Sequence, residues 1–569
     1  MTSKNSSVLV AFGEELPKGD LGSYDTVLFG DRLKEYIEAG SIYEATQLLE
    51  ELSLLKLPDG TRIAKSFTYQ GYELWWIHYS GLFLYFCLPY TQYKKLLSYL
   101  KDFQNISFYQ PTYKSLFSCY LGVYGCKVNE LVKPGLKSPS FLPFGIFLQI
   151  CITLLSLPVL ILKRSRLMVF IGDRLEPSKD YDFRMGFIYQ ELRQRKIAFV
   201  EFSRSLEPWK KLLEYVFIRK RPIIYSEAVV FIGRFLSFIS RSHYQIGKQI
   251  ETDPEKQFKI SVATHYLHNI YNDVWSIRIM KWILRAIGVK AACIITALES
   301  NFHATLGCKL NAIPTVGILH GVASRYYNGY DFLPSYDGEK NLSVDKYGLW
   351  SEWWKEYYIK NSKIYLPEQL YVSGPMRPLE RTTNPSTSSG QATNNHTGPV
   401  KVLFVSEQLA VPDEVVPYLT ALVKDKNISV YLTFRPYRDS FENWLREHHP
   451  EILVQFPEEK IIRTGIKDAL SQCEVAIGTM STAVIEALFQ HKVPILFYTK
   501  KWGDYFSLKE YEGGNFFADA PEELIEKIKK ARSIPREVLK DLQERYFGDP
   551  YQNGSKWVVD QLEGFLATT

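Results

Sequence analysis

Short apolar runs alternate with amphipathic helical patterns along most of this 569-residue chain, and no other feature constrains the fold as strongly. In the middle of the chain the apolar runs lie at 167–171, 197–202, 291–296 and 313–319. Near the C-terminus they lie at 401–405, 429–434, 474–477 and 493–498. Strands that alternate with helices pair in parallel, so each set predicts a Rossmann-like sheet covered by helices.

The predicted fold class is α/β, with two Rossmann-like domains, an additional small N-terminal α/β module and an apolar membrane-associating segment. The segment 381–399 is rich in Ser, Thr, Asn, Gly and Pro and has no large apolar residue, which is typical of a flexible linker. The predicted divisions are a small module at 1–135, an apolar helix at 141–166, an N-terminal Rossmann-like domain at 167–380, the linker at 381–399, and a C-terminal Rossmann-like domain at 400–569.

The stretch 141–162 carries no charged residue, and Gln149 is its only strongly polar side chain. Its length would cross a hydrocarbon core of about 30 Å. A buried helix, a transmembrane span and a shallow anchor all remain open. Spanning would put residues 1–135, which have three cysteines and no export signal, on the far side. We therefore expect an anchor that dips into the cytoplasmic face of the inner membrane.

Composition excludes several function classes. The net charge of +6 is mildly basic, but no Lys/Arg stripe interleaved with stacking aromatics occurs, so nucleic acid is not an expected partner. Seven scattered cysteines without a C-x-x-C pair indicate neither a disulfide framework nor a zinc site. His265 and His268 lack a carboxylate to complete a metal site. We expect no metal and no cofactor.

The turn that follows the apolar run 474–477 is the most informative local feature. Thr479, Ser481 and Thr482 lead there into the next predicted helix, at 483–491. Backbone N–H groups, a positive dipole end and hydroxyls would meet at this point, which suits a phosphate. Glu486 lies one turn deeper and could accept two hydroxyl hydrogens from a ribose. The alternative is an ordinary N-cap at Ser481 or Thr482 with an exposed glutamate.

A family resemblance rests on four segments that occur in order. Residues 473–499 resemble the donor-nucleotide segment of GT-B glycosyltransferases, in which a Ser/Thr-rich turn binds phosphate and a following Glu binds ribose. Residues 404–408 resemble the strand that opens their C-terminal domain, and 372–377 the turn before their interdomain linker. Residues 315–321 resemble their "QHG" strand end, with Leu319 where Gln is usual. The set resembles bacterial surface-polysaccharide transferases of polysialyl-, Kdo- and CDP-glycerol-using types.

The resemblance also points to donor contacts outside the turn. Many of these families carry a His-Pro pair after the second strand of the C-terminal domain, and here the pair is Arg435-Pro436. An arginine still offers a bidentate phosphate contact, but it cannot donate a proton near neutral pH. The resemblance places His320 and Gly321 in the cleft, where an imidazole could move a proton or hold the donor.

Candidate residues for the acceptor side follow the strands of the middle domain. Glu299 comes after the run 291–296 and is the candidate base for the acceptor hydroxyl. Asp173 comes after 167–171 and is the second candidate, in the position of a nucleophilic carboxylate for a retaining enzyme. Arg325 and Tyr326, followed by Tyr327, are predicted to line the acceptor path.

Together these features predict a metal-independent GT-B glycosyltransferase of capsule or lipopolysaccharide biosynthesis. It would move a sugar from a CMP- or UDP-linked donor to a lipid-linked surface glycan at the cytoplasmic membrane face. The alternatives are a sugar-nucleotide 2-epimerase or glycerophosphotransferase on the same fold, and a non-catalytic assembly protein that binds nucleotide or glycan. The sugar, the base, the stereochemistry and the oligomeric state are left open.

Overall fold

Three parallel sheets, each flanked by helices, make up the chain. The computed structural model describes residues 6–568 apart from 14, 19–20, 58, 132–143, 165, 172–184, 205–208, 220–221, 243–250, 296–301, 322, 327–331, 334, 380–397, 408–410, 435–440 and 512–514. The three sheets have four, seven and six strands, and a two-stranded hairpin lies outside them. The predicted fold class, two Rossmann-like domains preceded by a small α/β module, is confirmed by this topology.

The N-terminal module is built on a four-stranded parallel sheet of order β2-β1-β5-β6. Its strands are β1 (Ser7–Ala11), β2 (Thr26–Leu28), β5 (Asn105–Tyr109) and β6 (Lys127–Leu131), and β3 (Thr68–Tyr69) and β4 (Tyr72–Glu73) form the hairpin. Its helices are α1 (Asp31–Lys34), α2 (Ile42–Leu54), α3 (Tyr79–Leu82), α4 (Leu88–Leu100) and α5 (Lys114–Val123), with single turns of 3-10 helix at Leu21–Ser23, Ile63–Lys65 and Leu74–His78 and a π turn at Phe83–Cys87. Apolar residues fill β1 because a central parallel strand is buried on both faces.

The apolar segment forms one helix, α6 (Phe144–Lys163). It lies against β9 (Ile223–Tyr225), the edge strand of the second sheet. By length and composition α6 could cross a membrane, with a mean hydropathy of 2.4, and 28% of it is buried against the protein.

The second sheet has seven parallel strands in the order β13-β12-β11-β10-β7-β8-β9. The remaining strands are β7 (Leu167–Ile171), β8 (Val200–Ser203), β10 (Ala291–Cys293), β11 (Thr315–Ile318), β12 (Lys346–Leu349) and β13 (Leu370–Val372). The helices are α7 (Gly186–Gln194), α8 (Trp209–Arg219), α9 (Ser226–Ile239), α10 (Pro254–His268), α11 (Ile270–Ile287), α12 (Phe302–Lys309) and α13 (Glu352–Asn361), with a 3-10 turn at Pro367–Gln369. The sequence patterns did not predict the short strands β9 and β12.

The third sheet has six parallel strands in the order β16-β15-β14-β17-β18-β19. They are β14 (Val400–Val405), β15 (Ile428–Thr433), β16 (Ile461–Ile462), β17 (Val475–Gly478), β18 (Val493–Phe497) and β19 (Phe517–Ala518). The helices are α14 (Pro412–Lys424), α15 (Phe441–His448), α16 (Pro450–Leu453), α17 (Ile466–Ser471), α18 (Thr482–Ile485), α19 (Pro521–Lys530), α20 (Arg536–Phe547) and α21 (Gly554–Thr568), with 3-10 turns at Glu458–Lys460, Glu486–Gln490 and Ala531–Ser533.

The last helix does not pack on the third sheet, although the sequence prediction placed it in that domain. Val558, Val559 and Leu562 of α21 are fully buried in one cluster with Leu167 and Val169 of β7. Asp560 at the rim of this contact pairs with Arg195 at 2.7 Å. Helix α21 therefore belongs to the second domain in space and ties the two Rossmann-like domains together.

Helix α2 of the N-terminal module reaches both Rossmann-like domains. On one side Thr46 Oγ1 donates to the carbonyl of Tyr326 at 3.0 Å. On the other side the backbone N–H of Ile42 donates to the carbonyl of Lys501 at 3.1 Å. Tyr326 follows β11, and Lys501 follows β18, so one helix spans the loops at corresponding ends of two sheets.

Candidate functional site

The crevice of the third sheet lies between β14 and β17. From β14 the chain continues outward to β15 and β16, and from β17 it continues in the opposite direction to β18 and β19. The loops after two such strands diverge, and open parallel sheets bind ligands in the crevice that is left at the carboxyl ends. Glu407 follows β14, and Thr479 follows β17.

Glu407 fills the turn that the sequence analysis assigned to a phosphate. Its carboxylate accepts the backbone N–H groups of Thr479, Met480 and Ser481, at 3.2, 2.9 and 2.5 Å. The Thr479 hydroxyl donates to the other carboxylate oxygen. The N–H groups of the turn are therefore engaged within the protein, which the sequence did not predict.

Burial raises the pKa of the Glu407 carboxyl, and the hydrogen bonds from the turn offset only part of that effect. The side chain is 8% exposed. A carboxylate that accepts this many donors in a dry place holds the turn in one conformation. Glu407 therefore stabilises the turn that borders the crevice.

The hydroxyl residues of the turn begin a short helix. Ser481 is the N-cap of α18, and its side chain accepts the N–H of Ala483 at 3.3 Å. This is the N-cap arrangement that the sequence analysis kept as the alternative. Thr482, the first residue of α18, is half-buried. The predicted helix at 483–491 is wrong in type, because α18 ends at Ile485 and a 3-10 turn follows.

Glu486 opens that 3-10 turn, and the charge of Arg377 from the second domain acts on it. The side chain is half-buried, and burial raises the pKa of its carboxyl, while the charge of Arg377 lowers it in part. Within the described parts of the chain, no residue donates a hydrogen bond to Glu486. Its carboxylate therefore retains capacity to accept hydrogen bonds from a ligand.

The segment that carries Arg377, after β13, is fixed by the start of α21. The N–H of Gly554 donates to the carbonyl of Pro375 at 3.0 Å, and the Ser555 hydroxyl donates to that of Met376 at 2.7 Å. Sequence reasoning cited this segment for its resemblance but did not single out Arg377. The sequence feature that could have indicated Arg377 is its position shortly before the predicted interdomain linker.

His320 and Gly321 follow β11, where the sequence analysis expected them. Both are half-buried. The strand end is fixed because the Trp350 indole N–H donates to the carbonyl of Leu319 at 2.6 Å. Close packing at Gly317, where a Cβ would lie 2.6 Å from the carbonyl oxygen of Ile294, holds β11 against β10. His320 therefore sits at the carboxyl edge of the second sheet.

Three predicted site residues, Glu299, Asp173 and Arg435, lie outside the described residues, as does Tyr327. The strands that precede Asp173 and Glu299 are β7 and β10, which are neighbours. The order of the second sheet reverses between these two strands. The roles assigned to the three residues stay predictions.

Arg325 and Tyr326, the predicted acceptor contacts, are engaged by other parts of the protein. The ring of Tyr326 lies 4.2 Å from that of Tyr43 on α2. Arg325 donates to the side chain of Asn361 at 3.0 Å, and its guanidinium lies over the ring of Tyr326. The contact of Tyr326 with Tyr43 joins the N-terminal module to the second domain. A role of Arg325 and Tyr326 towards an acceptor stays a prediction.

No metal centre is formed by the side chains that the structure describes. In these parts of the chain, no three His, Cys, Asp or Glu residues group together as ligands would. The expectation that neither a metal nor a cofactor takes part stays a prediction.

Known proteins offer only distant likenesses to this chain. No protein-family model matches it, and no curated protein matches it. A glycosyltransferase from Rickettsia africae ESF-5 is 13% identical, covers 71% of this chain and 99% of its own, and has a TM-score of 0.39. The UDP-GlcNAc 2-epimerase from Neisseria meningitidis, solved with UDP-GlcNAc, is 12% identical, covers 71% of this chain and 100% of its own, and has a TM-score of 0.40. MurG from Acinetobacter baumannii is 9% identical, covers 70% of this chain and 99% of its own, and has a TM-score of 0.38. Likenesses at this level carry no argument about activity.

Proposed function

We propose that the protein is a glycosyltransferase of GT-B architecture. It moves a sugar from a CMP- or UDP-linked donor to a lipid-linked surface glycan at the cytoplasmic face of the inner membrane. The proposal is supported by two Rossmann-like domains joined by α21, by the crevice of the third sheet, and by the resemblance of four ordered segments to surface-polysaccharide transferases.

The observation that carries the proposal is the position of Glu486 just past the crevice, where the charge of Arg377 acts on its carboxyl. Glu486 lies just past the crevice in the third domain, and Arg377 comes from the second domain. A carboxylate with unused acceptor capacity suits the two hydroxyls of a ribose, and a neighbouring guanidinium suits a phosphate. One ligand that carries both groups, a nucleotide, could contact both residues.

Leaving-group stabilisation is the main catalytic task in this scheme. The hydroxyls of Ser481 and Thr482, together with Arg435, would bind the donor phosphates, and His320 is a further candidate for this role. Thr479 acts indirectly, since its hydroxyl donates to Glu407. Glu299 or Asp173 would take the proton of the acceptor hydroxyl or, in a retaining enzyme, Asp173 would attack the sugar.

Nucleotide binding to the full chain tests the proposal. We expect one of CMP, CDP, UDP and GDP to raise the thermal midpoint, since a ligand at 100 times its dissociation constant adds about 2.7 kcal/mol. The variant Glu486→Gln should bind that nucleotide at least about tenfold more weakly, because a charged hydrogen-bond acceptor is lost. Glu526→Ala, at an exposed position on α19, is the control. If none of the four nucleotides binds, the proposal fails.

A non-catalytic nucleotide-binding protein is the second candidate, and the position of Glu407 favours it. The carboxylate already accepts the N–H groups that a donor phosphate would need. Under this alternative the nucleotide binds through Glu486 and Arg377 alone. Sugar transfer across a panel of nucleotide-sugars would exclude this candidate, whereas nucleotide binding without any transfer would support it.

A further inference from the structure

We propose that helices α6, α8 and α9 form one docking face for a lipid bilayer with anionic headgroups, and that α6 lies flat on the membrane surface. The inference deepens the membrane partner of the proposed function. It rests on that function only for the identity of the acceptor.

Exposed apolar side chains are concentrated on these three helices. They carry half of the large hydrophobic residues that are exposed among those described. The most exposed are Leu162 (85%), Leu155 (76%), Phe238 (76%), Phe217 (73%), Ile239 (58%) and Phe144 (55%). The surface of a soluble protein rarely has so many exposed apolar side chains close together, and such an apolar patch marks an interaction site.

The helices form one continuous face because they pack on one another. The ring of Phe144 at the start of α6 lies 5.4 Å from that of Trp209 at the start of α8. Helix α6 also packs along α9. At 1.5 Å per residue the face is roughly 30 Å long, which suits helices lying parallel to a membrane plane.

The inner side of α6 fixes it to the domain and argues against a transmembrane span. Thr153 Oγ1 accepts the N–H of Tyr225 at 3.0 Å, and Ser156 Oγ accepts that of Ile223 at 3.2 Å. Both donors belong to β9, the edge strand, which has no neighbouring strand on that side among the residues that the structure describes. Moving α6 into the bilayer would leave these N–H groups unpaired and expose the apolar core behind them.

Charge at the ends of the helices selects the headgroup. Lys163 and Arg164 follow the last apolar residue of α6, Lys210 follows Trp209, and Arg241 follows the end of α9, all of them exposed. Helix α6 has no acidic residue, and Glu214 is the exposed acid on α8. A net basic rim around an apolar face binds anionic lipid more strongly than neutral lipid.

The face also leads towards the crevice of the second sheet. Thr153, in the middle of α6, contacts the last residue of β9, so the first half of α6 continues past the carboxyl end of that strand. The carboxyl ends of β7 and β10 lie in the same sheet at the same edge. A lipid-linked acceptor could therefore approach these strand ends with its lipid still in the membrane.

Vesicle binding by the full-length protein tests the docking face. We expect sedimentation with vesicles of phosphatidylcholine and phosphatidylglycerol, and weaker binding to phosphatidylcholine alone or in high salt. Leu155→Asp and Phe238→Asp should each lower partitioning by at least about tenfold. Val454→Asp replaces a residue that is 79% exposed in the third domain and should bind as the wild type does.

Three results would overturn the inference. The first is vesicle binding that neither face variant changes. The second is a stable dimer without vesicle binding that Leu155→Asp converts to a monomer, because a second copy would then be the occupant. The third is retention in cell membranes against alkaline carbonate, which would indicate a span. Nucleotide binding by Leu155→Asp separates the two proposals, since loss of vesicle binding should leave it unchanged.

Discussion

At the scale of single residues, two buried titratable groups carry most of the local chemistry. Glu407 accepts the hydrogen bonds of the crevice turn, and His303 is fully buried at the start of α12. The His303 ring lies 3.0 Å from the Ser226 hydroxyl and packs against Phe202. Burial disfavours the charged form of each group, and replacing either group should change the stability of the protein.

Replacing Glu407 should destabilise the third domain. Glu407→Ala leaves three backbone N–H groups and one hydroxyl without their acceptor in a buried place, and we expect a loss of about 2–4 kcal/mol. Chemical denaturation followed by circular dichroism measures the loss. Glu526→Ala, on the exposed side of α19, is the control. Equal stability of the two variants would show that Glu407 does not hold the turn.

His303 should make the protein sensitive to acid. Burial, helped by the charge of Arg204, lowers the pKa of His303 to about 3. Below the pKa of about 6.5 that histidine has in the unfolded chain, the unfolded chain binds a proton at His303 and the folded chain does not. The free energy of unfolding therefore falls as the pH drops. The loss is about 1.4 kcal/mol per pH unit, or roughly 2 kcal/mol between pH 7 and pH 5. His303→Gln should remove this slope, and a matching change at the exposed His448 should not. An unchanged slope in His303→Gln would contradict the assignment.

At the scale of elements, sequence patterns located most of the central strands of the second and third sheets. Buried parallel strands appear as uninterrupted apolar runs, so the predicted run 401–405 coincides with β14 to within one residue. Strands β16 and β19 have only two residues each and give no such signal. The predicted helix at 483–491 failed because buried positions such as Val484, Ala487 and Leu488 fit an α-helix and a 3-10 turn alike.

The site was less predictable than the strands because it depends on contacts between distant residues. Glu407 and the turn at Thr479 are 72 positions apart, and nothing local to either segment indicates their hydrogen bond. The effect of the Arg377 charge on Glu486 is likewise not indicated by either local sequence, because the two residues belong to different domains. Sequence alone located the turn and the glutamate but not the groups that face them.

The contact of α2 with the loop after β18 makes a prediction about one glycine. Gly503 has a φ of +54°, and a Cβ there would lie 2.5 Å from the Tyr43 ring. We expect Gly503→Ala to lower the free energy of unfolding by about 1–3 kcal/mol through backbone strain and the clash. Gly122→Ala in α5, where no atom lies within 4 Å of the added methyl group, is the control.

A second change separates the two causes. Adding Tyr43→Ala to Gly503→Ala removes the clash but not the strain, so the double variant should lose less stability than the two single losses added together. Additive losses would mean that the ring of Tyr43 does not pack on this loop.

At the scale of the whole molecule, the two Rossmann-like domains are held by more than their linker. The Trp354 indole N–H donates to the carbonyl of Tyr546 at 2.9 Å, and Trp350 stacks on Phe547 at 5.4 Å. Helix α20 thus packs on the second domain, and α21 is part of that domain's core. Movement between the domains must therefore bend the chain close to these two helices.

Cutting the chain between the domains tests this architecture. With a specific protease site inserted at 388, cleavage separates the covalent chain into a fragment with the first two sheets and a fragment with the third sheet and α21. We expect the two fragments to elute together in native buffer, because Val558, Val559 and Leu562 remain buried against β7 and its neighbours. Leu562→Asp places a charge in that core and should separate the fragments after cleavage. Ala567→Asp, on the exposed end of the same helix, should leave them together. If the fragments separate after cleavage when α21 carries no substitution, the linker, rather than α21, holds the domains together.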